Sequence, residues 1–185
     1  MTSAGSVVGD ERLRLFLALE LPPGVLETIE RWQNRHLSGG RKVPRDHLHV
    51  TLAFLGSRPA FEVDEIVAAL RACAAGVAEP SLEPSRWHET RSVGMLVLDD
   101  RQGTAEALAR SLHERLEALG VYRPERRRWL PHITVLRFRE RPQLAPPLPE
   151  TGTFVPSGAA AYLSRLHPSG VRYEVLDRVS LTAGG

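Results

Sequence analysis

Residues 47–56 read HLHVTLAFLG, and residues 131–137 carry a shorter version of the same pattern, PHITVLR. Each segment contains His-x-Thr within an apolar run of the kind that favours β-strands. Successive side chains of a strand point to opposite faces, so a His and a Thr two positions apart share a face. Each segment therefore predicts a strand that presents an imidazole beside a hydroxyl.

The apolar positions decide which face of each strand is buried. The residues expected to face the core are Leu48, Val50, Leu52, Ile133 and Val135. Because an apolar face must be covered, the other face is left for a cleft or for solvent, and it carries His49, Thr51, His132 and Thr134. Strict alternation places Arg137 on the Ile133 side, so Arg137 reaches the open face only if the strand twists.

An apolar strand and a helix precede each His-x-Thr strand. Leu15 lies 34 positions before His49, and Leu96 lies 36 positions before His132. This agreement indicates an internal repeat of two related halves. If a pseudo-twofold axis relates the halves, the two imidazoles converge on one cleft.

The remaining patterns predict an α+β fold. Strands are expected at 13–19, 47–55, 82–90, 93–98, 159–166 and 171–176, the last two forming a hairpin around 167–170. Helices are expected from Pro23 to before Gly39, around 61–70 with Phe61, Ile66, Val67 and Leu70 inward, and from Thr104 to Leu119. Residues 142–149, rich in proline, form an extended connection. Residues 1–10 are expected to be a disordered tail, and residues 11–185 a single bilobal domain.

Two imidazoles with a hydroxyl beside each suit phosphoryl chemistry. The unperturbed pKa of histidine, about 6.5, lets one ring act as a base while the other acts as an acid near neutral pH. The hydroxyls of Thr51 and Thr134 can donate to phosphate oxygens on which charge develops. Such a site needs no metal and no cofactor.

Three other interpretations remain open from the residues alone. A His-x-Thr pair in a strand is often only a solvated or hydrogen-bonded pair. His47 and His49 share a face if the strand begins at His47, and His-x-His ligates zinc when a third ligand is present. His113-Glu114 begins like a zinc-protease helix, but the second His is absent, which indicates a surface helix segment.

Composition limits the class of protein. The net charge is only +2, so any contact with nucleic acid must be local. Lys42 is the only lysine and Cys73 the only cysteine, which excludes an internal disulfide and a multi-cysteine metal site. Without a long apolar run or a signal-peptide pattern, we expect a cytoplasmic protein with no membrane association and no obligate protein partner.

Basic and aromatic residues are the remaining candidates for contact with a polyanion. An arginine cluster precedes the second motif, at positions 123, 126, 127 and 128, and is expected at the edge of the cleft. Arg137, Phe16 and Tyr173 are candidates for binding substrate, and Trp129 is a further ring that can stack on a base.

These motifs together resemble the two-histidine phosphoesterase superfamily, and within it the RNA 2′,3′-cyclic phosphodiesterases formerly named 2′-5′ RNA ligases. The resemblance covers nearly the whole chain. It rests on residues 14–19, on Val43-Pro44 with 48–56, on 131–134 with Arg137, and on Ser164, Leu166, Gly170 and Tyr173 in the closing hairpin. The family often has an aromatic residue just before Val-Pro, where this chain has Lys42.

The resemblance implies a bilobal fold in which two antiparallel sheets line a central cleft with helices outside. It implies metal-independent hydrolysis of an RNA 2′,3′-cyclic phosphate end, or of a cyclic nucleotide, to a 2′-phosphomonoester. His49 is then the proton donor and His132 the proton acceptor, with Thr51 and Thr134 on the phosphate. Two alternatives are 2′-5′ RNA ligation in the same cleft and a non-catalytic module that binds RNA ends or nucleotides.

Overall fold

The computed structural model describes residues 11–181, so the predicted tail at 1–10 lies outside the described residues. The strands are β1 (Arg12–Glu20), β2 (Arg41–Lys42), β3 (His49–Pro59), β4 (Glu83–Glu89), β5 (Val93–Asp99), β6 (His132–Arg137), β7 (Gly158–His167) and β8 (Gly170–Val179). The helices are α1 (Pro23–His36), α2 (Val63–Ala75) and α3 (Thr104–Ala118), with short 3-10 turns at Arg45–His47 and Ala60–Glu62.

The predicted repeat is present as two units of strand, helix and His-x-Thr strand. The first unit is β1-α1-β3 and the second is β5-α3-β6, and in each unit the two strands pair antiparallel. The His-x-Thr strands β3 and β6 lie side by side and are joined by one residue pair, Val50 with Ile133. The cleft strands are therefore neighbours at the middle of the molecule.

The two predicted sheets are the halves of one continuous sheet. Its order is β4-β5-β6-β3-β1-β7-β8, and β2 pairs with β6 beside this path. All the pairs are antiparallel. The sheet is continuous because the β3–β6 bridge hydrogen-bonds the two halves where they meet, which gives the α+β bilobal fold expected from the sequence.

Helices α1 and α3 each cover the other unit's half of the sheet. Trp32 of α1 lies 6.1 Å from Trp87 of β4, measured between ring centroids. Helix α3 packs against β3 and α2, and α2 also packs on β7 and β8. Leu108, Leu112 and Leu116 of α3 are fully buried, as their spacing predicts. Because these helices pack on the other unit, the two units share one core.

Two helix boundaries differ from the sequence prediction. Phe61 lies in the 3-10 turn before α2 and is 74% exposed, because the helix begins only at Val63. Leu119 follows the end of α3, which stops at Ala118, and is 39% exposed.

The extended segment 142–149 packs on α1, where Pro147 accepts a hydrogen bond from Trp32 Nε1 at 2.6 Å. Within residues 11–181, no helix is both long enough and apolar enough to cross a bilayer.

Candidate active site

A cleft of about 470 Å³ lies between the two His-x-Thr strands and the β7–β8 hairpin. His49 and Thr51 line it from β3, and His132 and Thr134 line it from β6. The apolar residues between them, Val50 and Ile133, are fully buried on the opposite face. The structure therefore brings both motifs to one cavity, with their core-facing residues placed as the alternation predicts.

The two imidazoles are held in the same way. His49 Nδ1 lies 2.8 Å from the carbonyl oxygen of His47, and His132 Nδ1 lies 2.8 Å from that of Leu130. Because a carbonyl can only accept, both Nδ1 atoms carry the proton and donate. Nε2 of each ring is then the atom that exchanges a proton, and His49 Nε2 lies 3.1 Å from Thr51 Oγ1.

One extra residue follows each His-x-Thr in its strand. In β3, Leu52 comes directly after Thr51 and has no partner in the ladder to β1. In β6, Val135 comes directly after Thr134 and has no partner in the ladder to β5. Each is a β-bulge, which reverses the alternation of side chains beyond it. The two bulges occupy equivalent positions of the repeat.

The bulges decide which residues reach the cleft. Strict alternation puts Arg137 on the core side of β6, but after the bulge at Val135 it lines the cleft. The extra residue in β6 turns the Arg137 side chain to the cleft face. Phe54 holds the equivalent place in β3, five positions after His49, and it also lines the cleft.

Side chains from the helices hold the carbonyl groups of the bulges. Gln33 of α1 donates through Nε2 to the oxygens of Val135, at 2.8 Å, and Val43, at 3.0 Å. His113 of α3 donates through Nε2 to the oxygen of Leu52 at 2.7 Å. Each bulge is thus bound by the helix of the other unit. His113 is half-buried, so the expectation of a plain surface segment at His113 is wrong.

An aromatic wall surrounds His49. The ring of Phe16 lies 4.9 Å from the imidazole, and those of Tyr173 and Tyr162 lie 5.8 Å and 6.2 Å away. Phe16 is only 3% exposed, because Tyr162 stacks on it and Tyr173 meets its edge. Phe16 therefore contacts His49 more than it faces the open cleft, whereas Tyr173 lines the cleft directly.

His47 does not belong to the strand. It ends the 3-10 turn that follows Pro44, with its N–H bonded to the Pro44 oxygen at 2.9 Å, and β3 begins at His49. The alternative in which His47 and His49 share one strand face is therefore not realised. The ring of His47 packs on Tyr173 at 4.2 Å and lines the cleft. No group of three or more metal-ligating side chains comes together among residues 11–181.

The charge of the cleft is positive. Arg14, Arg41, Lys42 and Arg137 line it, and no carboxylate does within the described part of the chain. Between residues 11 and 181, the three arginines have no acidic partner. Uncompensated guanidinium groups in a cleft favour an anionic ligand such as a phosphate.

The arginine cluster before the second motif lies elsewhere. None of Arg123, Arg126, Arg127 and Arg128 lines the cleft. Arg127 pairs with Glu125, and Arg128 pairs with Glu106 of α3. The expectation that this cluster borders the cleft is wrong, because those carboxylates hold the loop on the outer surface. Trp129 packs behind β3 and donates to the Thr51 oxygen at 3.0 Å.

Sequence reasoning did not place Arg14, Arg41, Lys42 or Phe54 in the cleft. The sequence pattern could have indicated Arg14, because Arg14 and Phe16 are two positions apart in β1 and share a face. Arg41 and Lys42 form the short strand β2 beside β6, and only this pairing brings them to the cleft.

The family model of the 2′-5′ RNA ligase superfamily matches residues 21–165. The chain belongs to this superfamily. The match includes both His-x-Thr motifs, both bulges and the helices that bind them.

Relatives of known name support the assignment to the superfamily. The chain is 30% identical over 179 residues to an RNA 2′,3′-cyclic phosphodiesterase of Escherichia coli, covering 93% of this chain and 98% of that one. It is also 30% identical to a protein of the same name from Thermus thermophilus, over 91% of this chain and 90% of that one. The crystal structure of E. coli LigT complexed with 3′-AMP matches with a TM-score of 0.76 and 28% identity, over 93% of this chain and 99% of that one.

The environment of His49 makes its imidazole hard to protonate. Burial lowers the pKa of His49 to about 4, opposed by the hydrogen bond to the His47 carbonyl. Electrostatic interactions with His132, His47 and Arg137 lower the pKa further. His49 is therefore neutral at neutral pH, and an anion bound beside it would raise its pKa.

We expect Gln33→Leu to lower the free energy of unfolding by about 1–3 kcal/mol, because two buried carbonyl groups lose a donor. We also expect it to weaken the binding of inorganic phosphate several-fold, because the Val135 carbonyl at the bulge that aims Arg137 is then held only by the Val43 N–H. Urea unfolding and isothermal titration measure the two effects. Glu89→Gln is the matched control, since Glu89 is also buried but lies outside the cleft. Unchanged phosphate affinity in Gln33→Leu would contradict this account of the bulge.

His49 should make the stability of the protein depend on pH. Its folded pKa of about 4 lies below the ordinary histidine value of 6.5, so the unfolded chain binds more protons between these values and stability falls as pH decreases through them. The contribution is fully present above pH 6.5. Urea unfolding of wild type and His49→Gln across pH 7 to 4 should show a difference that changes by about 3 kcal/mol. Parallel pH profiles for the two proteins would show that His49 is not desolvated.

Proposed function

We propose that the chain hydrolyses RNA 2′,3′-cyclic phosphate ends to 2′-phosphomonoesters, using His49 and His132 as a proton donor and acceptor. The observation that carries the proposal is the matched pair of imidazoles in one positive cleft, each with Nδ1 bound to the carbonyl two residues earlier. The relatives named RNA 2′,3′-cyclic phosphodiesterase support the same class of reaction. RNA, or a cyclic nucleotide, is the substrate class that this reaction requires.

The reaction breaks one bond to phosphorus and forms another. His132 takes a proton from a water molecule, whose oxygen attacks the phosphorus of the cyclic diester. The bond from phosphorus to the 3′ oxygen breaks, and His49 gives its proton to that oxygen. The product carries a 2′-phosphomonoester and a 3′-hydroxyl, and proton transfer through solvent restores both rings.

The threonines and Arg137 stabilise the charge that develops on phosphorus. Thr51 and Thr134 each lie two residues beyond a histidine on the same strand face, so their hydroxyls flank the phosphate. Arg137 supplies a guanidinium from the same side as His132. Donors fixed before the reaction are effective because they need no rearrangement as charge builds on the non-bridging oxygens.

The lowered pKa of His49 fits the donor role once substrate is bound. An imidazole that is neutral without substrate acquires its proton together with the anionic phosphodiester, which offsets the positive charge of Arg137 and the cost of burying a charged ring. Because the pKa of the ring is low, the protonated ring is a strong acid and readily protonates the leaving oxygen. Phosphate binding and protonation of His49 are therefore coupled.

Replacing either histidine should remove most of the activity. We expect His49→Ala and His132→Ala each to lower kcat by about 10²- to 10⁴-fold, the range of general acid or base catalysis. The assay follows a short RNA ending in a 2′,3′-cyclic phosphate, with chromatography to identify the 2′-phosphate product, with and without a chelator. His88→Ala is the control, because His88 is exposed on β4 and lies outside the cleft. Wild-type turnover in either cleft variant, or loss of activity on chelation, would contradict the mechanism.

The roles of the two histidines can be separated by the leaving group. A substrate with sulfur in place of the 3′ oxygen has a leaving group that needs little protonation, so the acid becomes dispensable. We expect this substrate to restore most of the activity of His49→Ala and little of that of His132→Ala. If this substrate instead restored the activity of His132→Ala, His132 would be the proton donor and His49 the proton acceptor.

A further inference from the structure

Tyr162 packs beside the surroundings of His49 without lining the cleft. In the ladder between β1 and β7 it lies opposite Phe16, so the two side chains share a face. Their rings are stacked, with centroids 4.9 Å apart and planes at 8° to each other. Phe16 in turn lies 4.9 Å from the imidazole of His49, measured between ring centroids. A ligand in the cleft meets Phe16 and His49, whereas Tyr162 is not part of the cleft lining.

Glu20 lies opposite His49 in the ladder between β1 and β3, on the same face of the sheet. A carboxylate there would stabilise a protonated imidazole. The carboxylate is instead bound by two other groups. The Tyr162 hydroxyl donates to Oε1 at 3.1 Å, and Arg178 Nε lies 3.0 Å from Oε1 and 3.2 Å from Oε2. Burial and the neighbouring carboxylate raise the pKa of Tyr162, so its hydroxyl keeps the proton that it donates.

The two imidazoles of the site differ in what covers them. Three aromatic rings pack around His49, whereas within residues 11–181 no aromatic ring packs against His132. Glu20 is the only carboxylate among the groups that face His49, so its position decides whether a proton on that ring has an anionic partner. The titratable and charged groups that face His49 come from β1, the 3-10 turn, β6, β7 and β8: Glu20, His47, His132, Arg137, Tyr162 and Tyr173.

We propose that Tyr162 is a positioning residue for His49, the acid of the reaction. Its ring holds Phe16 over the imidazole, and its hydroxyl holds the Glu20 carboxylate away from the imidazole. This inference rests on the proposed function, because it takes His49 as the group that protonates the leaving oxygen. Both contacts disfavour a proton on His49 until an anionic substrate binds, and both make the protonated ring a stronger acid.

The first test measures the protonation of His49 without turnover. An NMR pH titration of the imidazole, assigned with His49→Gln, gives the midpoint in wild type, which we expect at about pH 4. Tyr162→Leu removes both the ring that holds Phe16 and the hydroxyl that binds Glu20. We expect its midpoint to be higher by at least about one pH unit, since water reaches the imidazole and the carboxylate loses one of its two donors. Tyr162→Phe keeps the stacked ring and loses only the hydroxyl, so its midpoint should lie between the other two.

Leu163→Val is the control for lost packing, because Leu163 follows Tyr162 in β7 but is buried on the opposite face of the strand. It should keep the wild-type midpoint. Phe16→Leu takes the place of Tyr162→Leu if that protein does not fold, and it should raise the midpoint as well. A wild-type midpoint in the folded variant would overturn the inference, because the stacked rings would then only stabilise the fold. An equal midpoint in Tyr162→Phe and Tyr162→Leu would overturn the role of the ring.

The second test is kinetic. A ring that holds its proton more firmly is a weaker acid, so Tyr162→Leu should slow the reaction that releases the 3′ oxygen. With sulfur in place of this oxygen the leaving group needs little protonation, and the variant should keep most of the wild-type kcat. We expect the ratio of kcat for the oxygen substrate to kcat for the sulfur substrate to fall several-fold in Tyr162→Leu and to stay unchanged in Leu163→Val. Equal slowing of both substrates by Tyr162→Leu would overturn the inference.

The two tests separate this inference from the proposed function. If wild type hydrolysed no cyclic phosphate, the proposed function would be contradicted, and the titration would still decide whether Tyr162 controls the imidazole of His49. If wild type hydrolysed the substrate but the midpoint did not move in Tyr162→Leu, this inference alone would be overturned.

Discussion

The structure depends on the hydrogen bonds that helix side chains make to the carbonyl group at each bulge. A buried carbonyl without a donor is costly. His113 donates to the Leu52 carbonyl, and Gln33 joins the Val43 N–H in donating to the Val135 carbonyl. Each of the two side chains comes from the helix of the opposite unit. The same contacts fix the bulges and join the two units. The cleft is thus built by the interactions that hold the repeat together.

The repeat places the two imidazoles in equivalent positions of the backbone, but the side chains around them differ. The frame of each imidazole is the same, down to the 2.8 Å bond from Nδ1 to the preceding carbonyl. The surroundings differ, because the aromatic wall of Phe16, Tyr162 and Tyr173 lies against His49. Acid–base catalysis by two like residues requires such a difference, since each must hold a different protonation state at the same pH.

The sequence was sufficient for the parts of the fold that obey a local period. Alternation placed Val50 and Ile133 in the core, and the spacing of Leu108, Leu112 and Leu116 placed α3 correctly. Arg137 lines the cleft as the candidate list expected, but strict alternation failed there, because a bulge breaks it and is bound by a donor from a distant helix. His113 was misjudged for the same reason, since its partner Leu52 lies 61 positions away. Arg41 was missed because strand pairing sets its position, and the loop arginines were misplaced because ion pairs set theirs.

The central claim is that one phosphate lies between the two imidazoles. The most direct test is a crystal structure of the protein with a nucleoside 2′,3′-cyclic vanadate, which resembles the five-coordinate phosphorus of the reaction. We predict that Nε2 of His49 and Nε2 of His132 each lie within hydrogen-bond distance of different oxygens on the vanadium, with Arg137 on a third. A vanadate bound by only one of the two rings, or bound outside this cleft, would contradict the account.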